Sequence, residues 1–132
     1  KWHSKKVPYT LFQVKMYMDS YELAEMAAIA CDDKKGIDIK LIKITEVSSL
    51  SDWIVITAGL SVVQVQAIIK SVEDKLEIEA NRMPIRKEGI NEGKWALLDY
   101  GDIIVHVLQP SERSFYDLEA FWSNGIIKDF HL

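Results

Sequence analysis

Gly59-Leu60-Ser61 lies between an apolar run and a helical stripe, where backbone N–H groups at a helix start can hold a phosphate. The same strand–Gly–Ser–helix order opens the active site of nucleotidyltransferases, which add two carboxylates on the next strand to hold catalytic metal ions. The strand expected next, Arg82-Met83-Pro84-Ile85-Arg86, contains no acid. The structural reading is therefore preferred: Gly59 permits a tight turn and Ser61 caps the helix.

His106 sits inside the apolar run 103–108, and strand alternation puts it on the face opposite Val105 and Val107. No Ser or Cys nucleophile is marked by its context, so a hydrogen-bonded structural or interface histidine is preferred to a catalytic one. His3, His106 and His131 share no metal-ligand spacing, and neither metal nor cofactor is expected. Cys31 lies on a helical apolar stripe and reads as a small core residue. Asp99, Asp102, Glu112, Asp117 and Glu119 could serve as catalytic carboxylates, but they belong to a stretch, 88–119, with seven acids against two bases. That is usually a solvated face. The aromatics among them (Trp95, Tyr100, Phe115, Tyr116, Trp122) raise the case for a binding surface, since Tyr and Trp often anchor interfaces. On physical grounds, core and surface roles stay equally open for these rings.

The elements that must position these groups follow from periodicity. Asp19 with Glu22 forms a capping box, and Leu23, Met26, Ala27, Ala30 and Cys31 continue it as a helix that Gly36 should end. Ile37, Ile39 and Leu41 alternate as a half-buried strand running toward Thr45. Trp53-Ile54-Val55-Ile56 reads as a central strand covered on both faces. Ser61 with Gln64 suggests a second capping box, and Val65, Ile68, Ile69, Val72 and Leu76 place a long helix over 62–80. After the short strand at 82–86, Trp95–Leu98 and Ile103–Leu108 pair as a hairpin around Asp99-Tyr100-Gly101-Asp102, whose acids should project from the sheet. Pro110 ends the second of these, and Phe115, Leu118, Phe121 and Trp122 suggest a final short helix. The order implies a single α/β (α+β) domain, a mixed sheet flanked by helices.

At 132 residues, 48% hydrophobic and 27% charged, the chain fits one globular domain. No apolar run is long enough to cross a bilayer, and the stretch before Ser20 is too polar and broken for a secretory signal. A chain that begins with Lys reads as a fragment or a processed product. One cysteine excludes an internal disulfide framework and suits a reducing compartment. The net charge of −4 is unevenly spread. Residues 1–18, a basic arm, hold four lysines and no acid, whereas 19–132 hold 12 basic against 20 acidic residues. An acidic body is a poor reader of nucleic acid by itself and suits a basic protein surface.

The run from Trp95 to Val107, Trp-Ala-Leu-Leu-Asp-Tyr-Gly-Asp-Ile-Ile-Val-His-Val, resembles the signature of the Iojap-like ribosomal silencing factors. Residues 115–122, Phe-Tyr-Asp-Leu-Glu-Ala-Phe-Trp, resemble the family's C-terminal motif. Asp52-Trp53-Ile54-Val55-Ile56 with Gly59 and Ser61 is similar to its central strand and turn, and Asp32-Asp33-Lys34-Lys35-Gly36 to the end of its first helix. The likeness covers the body, with 19–123 as the domain and 124–132 as a tail. It implies a nucleotidyltransferase-like core without catalytic carboxylates, and a non-catalytic protein that binds the large ribosomal subunit through ribosomal protein fourteen. Occupancy there blocks joining of the small subunit and lowers translation; large-subunit maturation is also attributed to the family, and members form homodimers. The expected contact residues are Trp95, Leu97, Asp99, Tyr100, Asp102, His106, Arg113, Tyr116 and Asp117. Ribosomal RNA contact is at most peripheral, through the arm. The compartment is bacterial cytoplasm, or plastid stroma after removal of a transit peptide. The rivals are a nucleotidyltransferase-like enzyme using Gly59 and Ser61, and an RNA-binding assembly factor for the large subunit.

Overall fold

The computed structural model, which describes residues 18–44, 51–117 and 126–130, opens with a fully formed capping box. The Glu22 N–H donates to Asp19 Oδ1 at 2.8 Å, and the Asp19 N–H donates to Glu22 Oε1 at 3.1 Å. Helix α1 (Ser20–Asp33) then buries Leu23, Ala24, Ala27, Ala28, Ala30 and Cys31, a stripe of mostly small side chains that lets a neighbouring helix come close. Its exit differs from the expectation. Lys35 takes the left-handed conformation, at φ 66°, while Gly36 answers a need for space: a Cβ there would stand 2.7 Å from Thr57 Oγ1.

Strand β1 (Ile37–Lys43) bulges between Ile37 and Lys40, with Asp38 at φ 52°. With β2 (Trp53–Ala58), β3 (Arg86–Glu88), β4 (Trp95–Asp99), β5 (Ile103–Leu108) and β6 (Ile126–Asp129) it forms one six-stranded sheet in the order β3-β4-β5-β2-β1-β6. Strands β2 and β5 run parallel and every other neighbouring pair antiparallel, so the sheet is mixed. All six residues of β2 are buried, as a central strand requires.

Helix α2 (Val62–Ala80) buries Val65, Ile68, Ile69, Val72 and Leu76 along one stripe. Each such side chain contributes about 1.5–3 kcal/mol when fully covered. Helices α1 and α2 pack together on the sheet face that carries Ile39, Leu41, Trp53, Val55, Ala96, Leu98, Ile103, Val105 and Val107. A second cluster, Ile42, Ile44, Ile54, Ile56 and Leu108 with Trp95, lies on the other face. Strand β1 keeps Ile37 and Asp38 exposed and Lys40 and Lys43 partly covered, as a half-buried strand should, and departs from that pattern where Ile42 is buried on the second face.

Three boundaries shift. The strand expected at 82–86 is displaced to Arg86–Glu88, because Asn81 turns left-handed (φ 54°) and Arg82 leaves to bind the hairpin. The last helix, α3 (Pro110–Tyr116), starts at the proline; Leu118, Phe121 and Trp122 lie outside the described residues, as do the arm and Thr45. The stretch 124–132, expected as a tail, supplies β6. Four residues are too few to show a period, and the partner strand β1 is distant in sequence. Asp129 pairs with Lys40 at 2.8 Å, and Lys128 Nζ lies 4.8 Å from the Tyr21 ring centroid. Among the described residues no helix is long and apolar enough to cross a membrane.

Candidate functional site

Strand alternation on β4 sends Ala96 and Leu98 toward the helices and leaves Trp95, Leu97 and Asp99 half-buried on the opposite face. The register adds neighbours to that open face: His106 stands beside Leu97, Ile104 beside Asp99, Glu88 beside Leu97 and Arg86 beside Asp99. The result is an apolar strip of Trp95, Leu97 and Ile104 bordered by charge. A shallow cleft of about 280 Å³ opens beside it, lined by Glu88, Gly89, Trp95 and Leu97.

Within the strip, the Trp95 indole N–H donates to His106 Nδ1 at 3.0 Å, with ring centroids 5.9 Å apart. His106 is only 8% exposed, and burial pushes its pKa down to about 4, so the ring is neutral near neutrality with its proton on Nε2. Asp99 has two structural duties. Its Oδ1 accepts the Gly101 N–H at 2.8 Å, closing a turn in which Gly101 stands at φ +91°, and its Oδ2 pairs with Arg86 at 3.3 Å.

The hairpin does not project its residues as the sequence suggests. Tyr100 is 2% exposed, turned under α2, where burial raises its hydroxyl pKa well above the usual value. A ring so placed has no surface to offer a partner. Asp102 is held by Arg82 through two bonds, at 2.8 and 3.2 Å, and Arg82 also donates to the Tyr100 carbonyl at 2.9 Å. Both hairpin acids are therefore turn-builders with arginine partners, set there by a chain segment 13 to 20 residues away in sequence.

Arg113, Tyr116 and Asp117 form a separate group on and after α3. Arg113 is buried, donates to the Ile37 carbonyl at 3.2 Å and pairs with Asp38 at 3.6 Å. Asp117 caps the helix in a left-handed conformation, and its N–H donates to the Arg113 carbonyl at 2.9 Å. The Tyr116 side chain lies outside the described residues. A cleft of about 400 Å³ is lined by Ile37, Asp38, Ala58, Pro110, Arg113, Ser114 and Asp117.

The Gly59–Ser61 turn uses its own donors. Ser61 Oγ accepts the Gln64 N–H at 3.1 Å, the expected cap, but Gln64 Oε1 turns to the Leu60 N–H at 2.7 Å instead of completing the box. Gln64 Nε2 then donates to the carbonyls of Lys34 and Lys35, tying the turn to the end of α1. Two N–H groups that could hold a phosphate are thus spent. At Gly59 space is tight: a Cβ would lie 3.1 Å from Val65 Cγ2 and 3.2 Å from its backbone N. The displaced strand β3 does carry one acid, Glu88, but it pairs with Arg86 and sits three strands from β2. Among the described residues no group of three or more His, Cys, Asp or Glu could hold a metal ion.

The family model described as "Ribosomal silencing factor during starvation" matches residues 17–131, nearly everything described above. The chain belongs to that family. It is 37% identical over 113 residues to ribosomal silencing factor RsfS of Bacillus subtilis, covering 85% of this chain and 94% of that protein. It is 30% identical over 102 residues to the chloroplastic protein Iojap of Arabidopsis thaliana, covering 77% of this chain and 42% of that protein. A crystal structure of a Chromobacterium violaceum protein superposes with a TM-score of 0.78 at 38% identity, covering 80% of this chain and 88% of that one. The ribosomal silencing factor match takes in β6 as well, so the last strand is part of the family's unit.

Of the nine expected contact residues, the open face gathers Trp95, Leu97, Asp99 and His106. Sequence reasoning missed Arg86, Glu88 and Ile104, which share it. Ile104 was within reach, since it stands two before His106 on one strand. Arg86 and Glu88 depend on the sheet order, which carries no local signal.

Proposed function

We propose that this silencing factor works by occupancy. It binds the large ribosomal subunit through ribosomal protein fourteen, on the surface that meets the small subunit, and so prevents joining without turning over a substrate. The observation that carries this reading is the strip of Trp95, Leu97 and Ile104, apolar and half-buried with charged Arg86, Glu88 and Asp99 around it. An aromatic anchor inside a polar rim is the usual anatomy of a protein-binding patch. Family membership supports the ribosome as the partner. The acidic body suits a basic ribosomal protein, and attraction across that difference speeds encounter. The enzyme alternative is weakened at the turn where it should begin, because the Leu60 and Gln64 donors are already engaged.

Sedimentation with isolated large subunits, small subunits and joined ribosomes tests the proposal. The protein should travel with free large subunits and with neither of the others. Comparable binding to joined ribosomes rules out the steric mechanism. Saturable nucleotide binding in the presence of magnesium would restore the enzyme.

A further inference from the structure

His106 and Trp95 are read most simply as two contact residues, but their geometry separates their roles. His106 is 8% exposed, whereas Trp95 is half-buried and borders the open cleft. The indole N–H is a donor only, and its hydrogen bond at 3.0 Å ends on His106 Nδ1. That bond fixes two things at once. It sets the imidazole tautomer, since Nδ1 must carry a lone pair, and it ties the polar edge of the indole down to β5. The ring also packs against the buried cluster of Ile42, Ile44, Ile54, Ile56 and Leu108, and it lines the cleft beside Leu97.

We infer that His106 is a positioning residue for the partner contact: it holds the Trp95 indole in one orientation and does not itself touch the partner. The inference rests on the open face being the contact surface. A large aromatic anchor loses rotamer freedom when a partner covers it. An indole already tied to a buried imidazole has lost that freedom before binding. The residues facing His106 across the sheet are Leu97 on β4 and Ile56 on β2, both apolar. They supply no second acceptor that could replace Nδ1.

Two substitutions and a double-mutant cycle test this on the full chain. His106→Leu keeps apolar volume and removes the acceptor. His106→Asn places a carboxamide oxygen close to the position of Nδ1 and should restore the bond. The Trp95 indole N–H resonance, assigned by its absence in Trp95→Phe, should shift and lose protection from exchange in His106→Leu and recover in His106→Asn. Binding to isolated large subunits should weaken about tenfold in His106→Leu, the loss expected for one net hydrogen bond and its ordering. It should return to within about threefold in His106→Asn. In a Trp95→Ala background, His106→Leu should cost nothing further, because its effect runs through the ring. Additive losses, or full binding by His106→Leu while Trp95→Ala is impaired, overturn the positioning role alone. Full binding by Trp95→Ala overturns the contact face and the inference with it. If His106→Leu fails to fold, His106→Asn decides: tenfold weaker binding with an unchanged indole resonance also overturns the role.

Discussion

The two faces of the sheet are made from the same strands and reach different ends. Toward α1 and α2, the side chains of β4 and β5 (Ala96, Leu98, Ile103, Val105, Val107) are covered by helical stripes of matching apolar character. On the opposite side of those two strands, Trp95, Leu97, Asp99 and Ile104 remain half-exposed, and a buried imidazole holds the largest of them. A face closed by helices is under packing constraint alone, so every residue can be explained by volume. A face left open must justify its apolar residues differently, because a contiguous apolar strip rimmed by charge serves stability poorly and a partner well. On the proposed reading, the difference separates residues that hold the protein together from residues that meet a partner.

Truncating one side chain on each face should damage two different properties of the protein. Leu76→Ala, under the covered face, removes a fully buried side chain and leaves a cavity. It should destabilise by about 2–5 kcal/mol in a denaturant titration. Ribosome binding, corrected for the unfolded fraction, should not change. A specific binding loss in that variant would show that the covered face also reports on the partner.

Acid should act next in size, and on the open side. With burial holding His106 near 4 against an unfolded value of 6.5, the unfolded chain binds a proton that the folded protein refuses. Stability from this group is therefore complete above about pH 6.5, falls as the pH drops toward 4, and is level below that. Between pH 7 and 5 the loss should be about 2 kcal/mol. Parallel titrations of the parent and His106→Asn at the two pH values measure it, and equal acid sensitivity in the two would refute the buried neutral ring.

The hairpin offers a smaller effect and corrects an expectation. Turn acids seldom hold a core together, yet Asp102 is gripped by Arg82 at 2.8 and 3.2 Å. Both side chains are about one-third exposed, so solvent screens the pair and its worth is modest. Asp102→Asn should cost about 1 kcal/mol, and Asp102→Lys more, because it sets two cations together. A melt unchanged in Asp102→Lys would mean the guanidinium finds equal partners elsewhere.

What was legible in the sequence follows the same division. The stripe of α2 appears residue for residue, and so do the capping box of α1, the buried β2 and the hairpin pairing, because each is written in local spacing. The placement of Tyr100 was not legible. Its neighbours in sequence are acids and a glycine, while its cover comes from α2 and Arg82, set by tertiary packing. Gly59 and Gly36 were expected to serve backbone conformation and instead serve space, which depends on Val65 and Thr57 arriving against them. Strand β6 was missed because an edge strand of four residues owes its existence to β1. For the site, the alternation Trp95, Leu97, Asp99 was readable on one strand; that Arg86 and Glu88 border it was not, since β3 meets β4 only through the fold.

The smallest stability effect is expected at Leu97, and it is the most informative. Leu97 is half-buried on the open face, opposite His106 in register, with no helix packed above β4 on that side among the described residues. Truncation to alanine removes contacts it only partly makes, so the melt should fall by less than about 1 kcal/mol in free energy. A partner that covers this face would bury the remaining half of the side chain. At about 25 cal/mol per Å² of apolar surface, that half is worth roughly 1–1.5 kcal/mol, or close to tenfold in affinity. Leu97→Ala should therefore bind large subunits about tenfold more weakly while melting nearly as the parent does. Leu76→Ala should show the reverse. Each variant truncates one leucine, Leu97 on the open face of the sheet and Leu76 on the helix that packs over the other face, so they form a matched pair for the sedimentation assay and the denaturant titration. If Leu97→Ala loses stability as Leu76→Ala does, the open face is packed like the covered one. If it binds like the parent, the apolar strip is not where the ribosome is met.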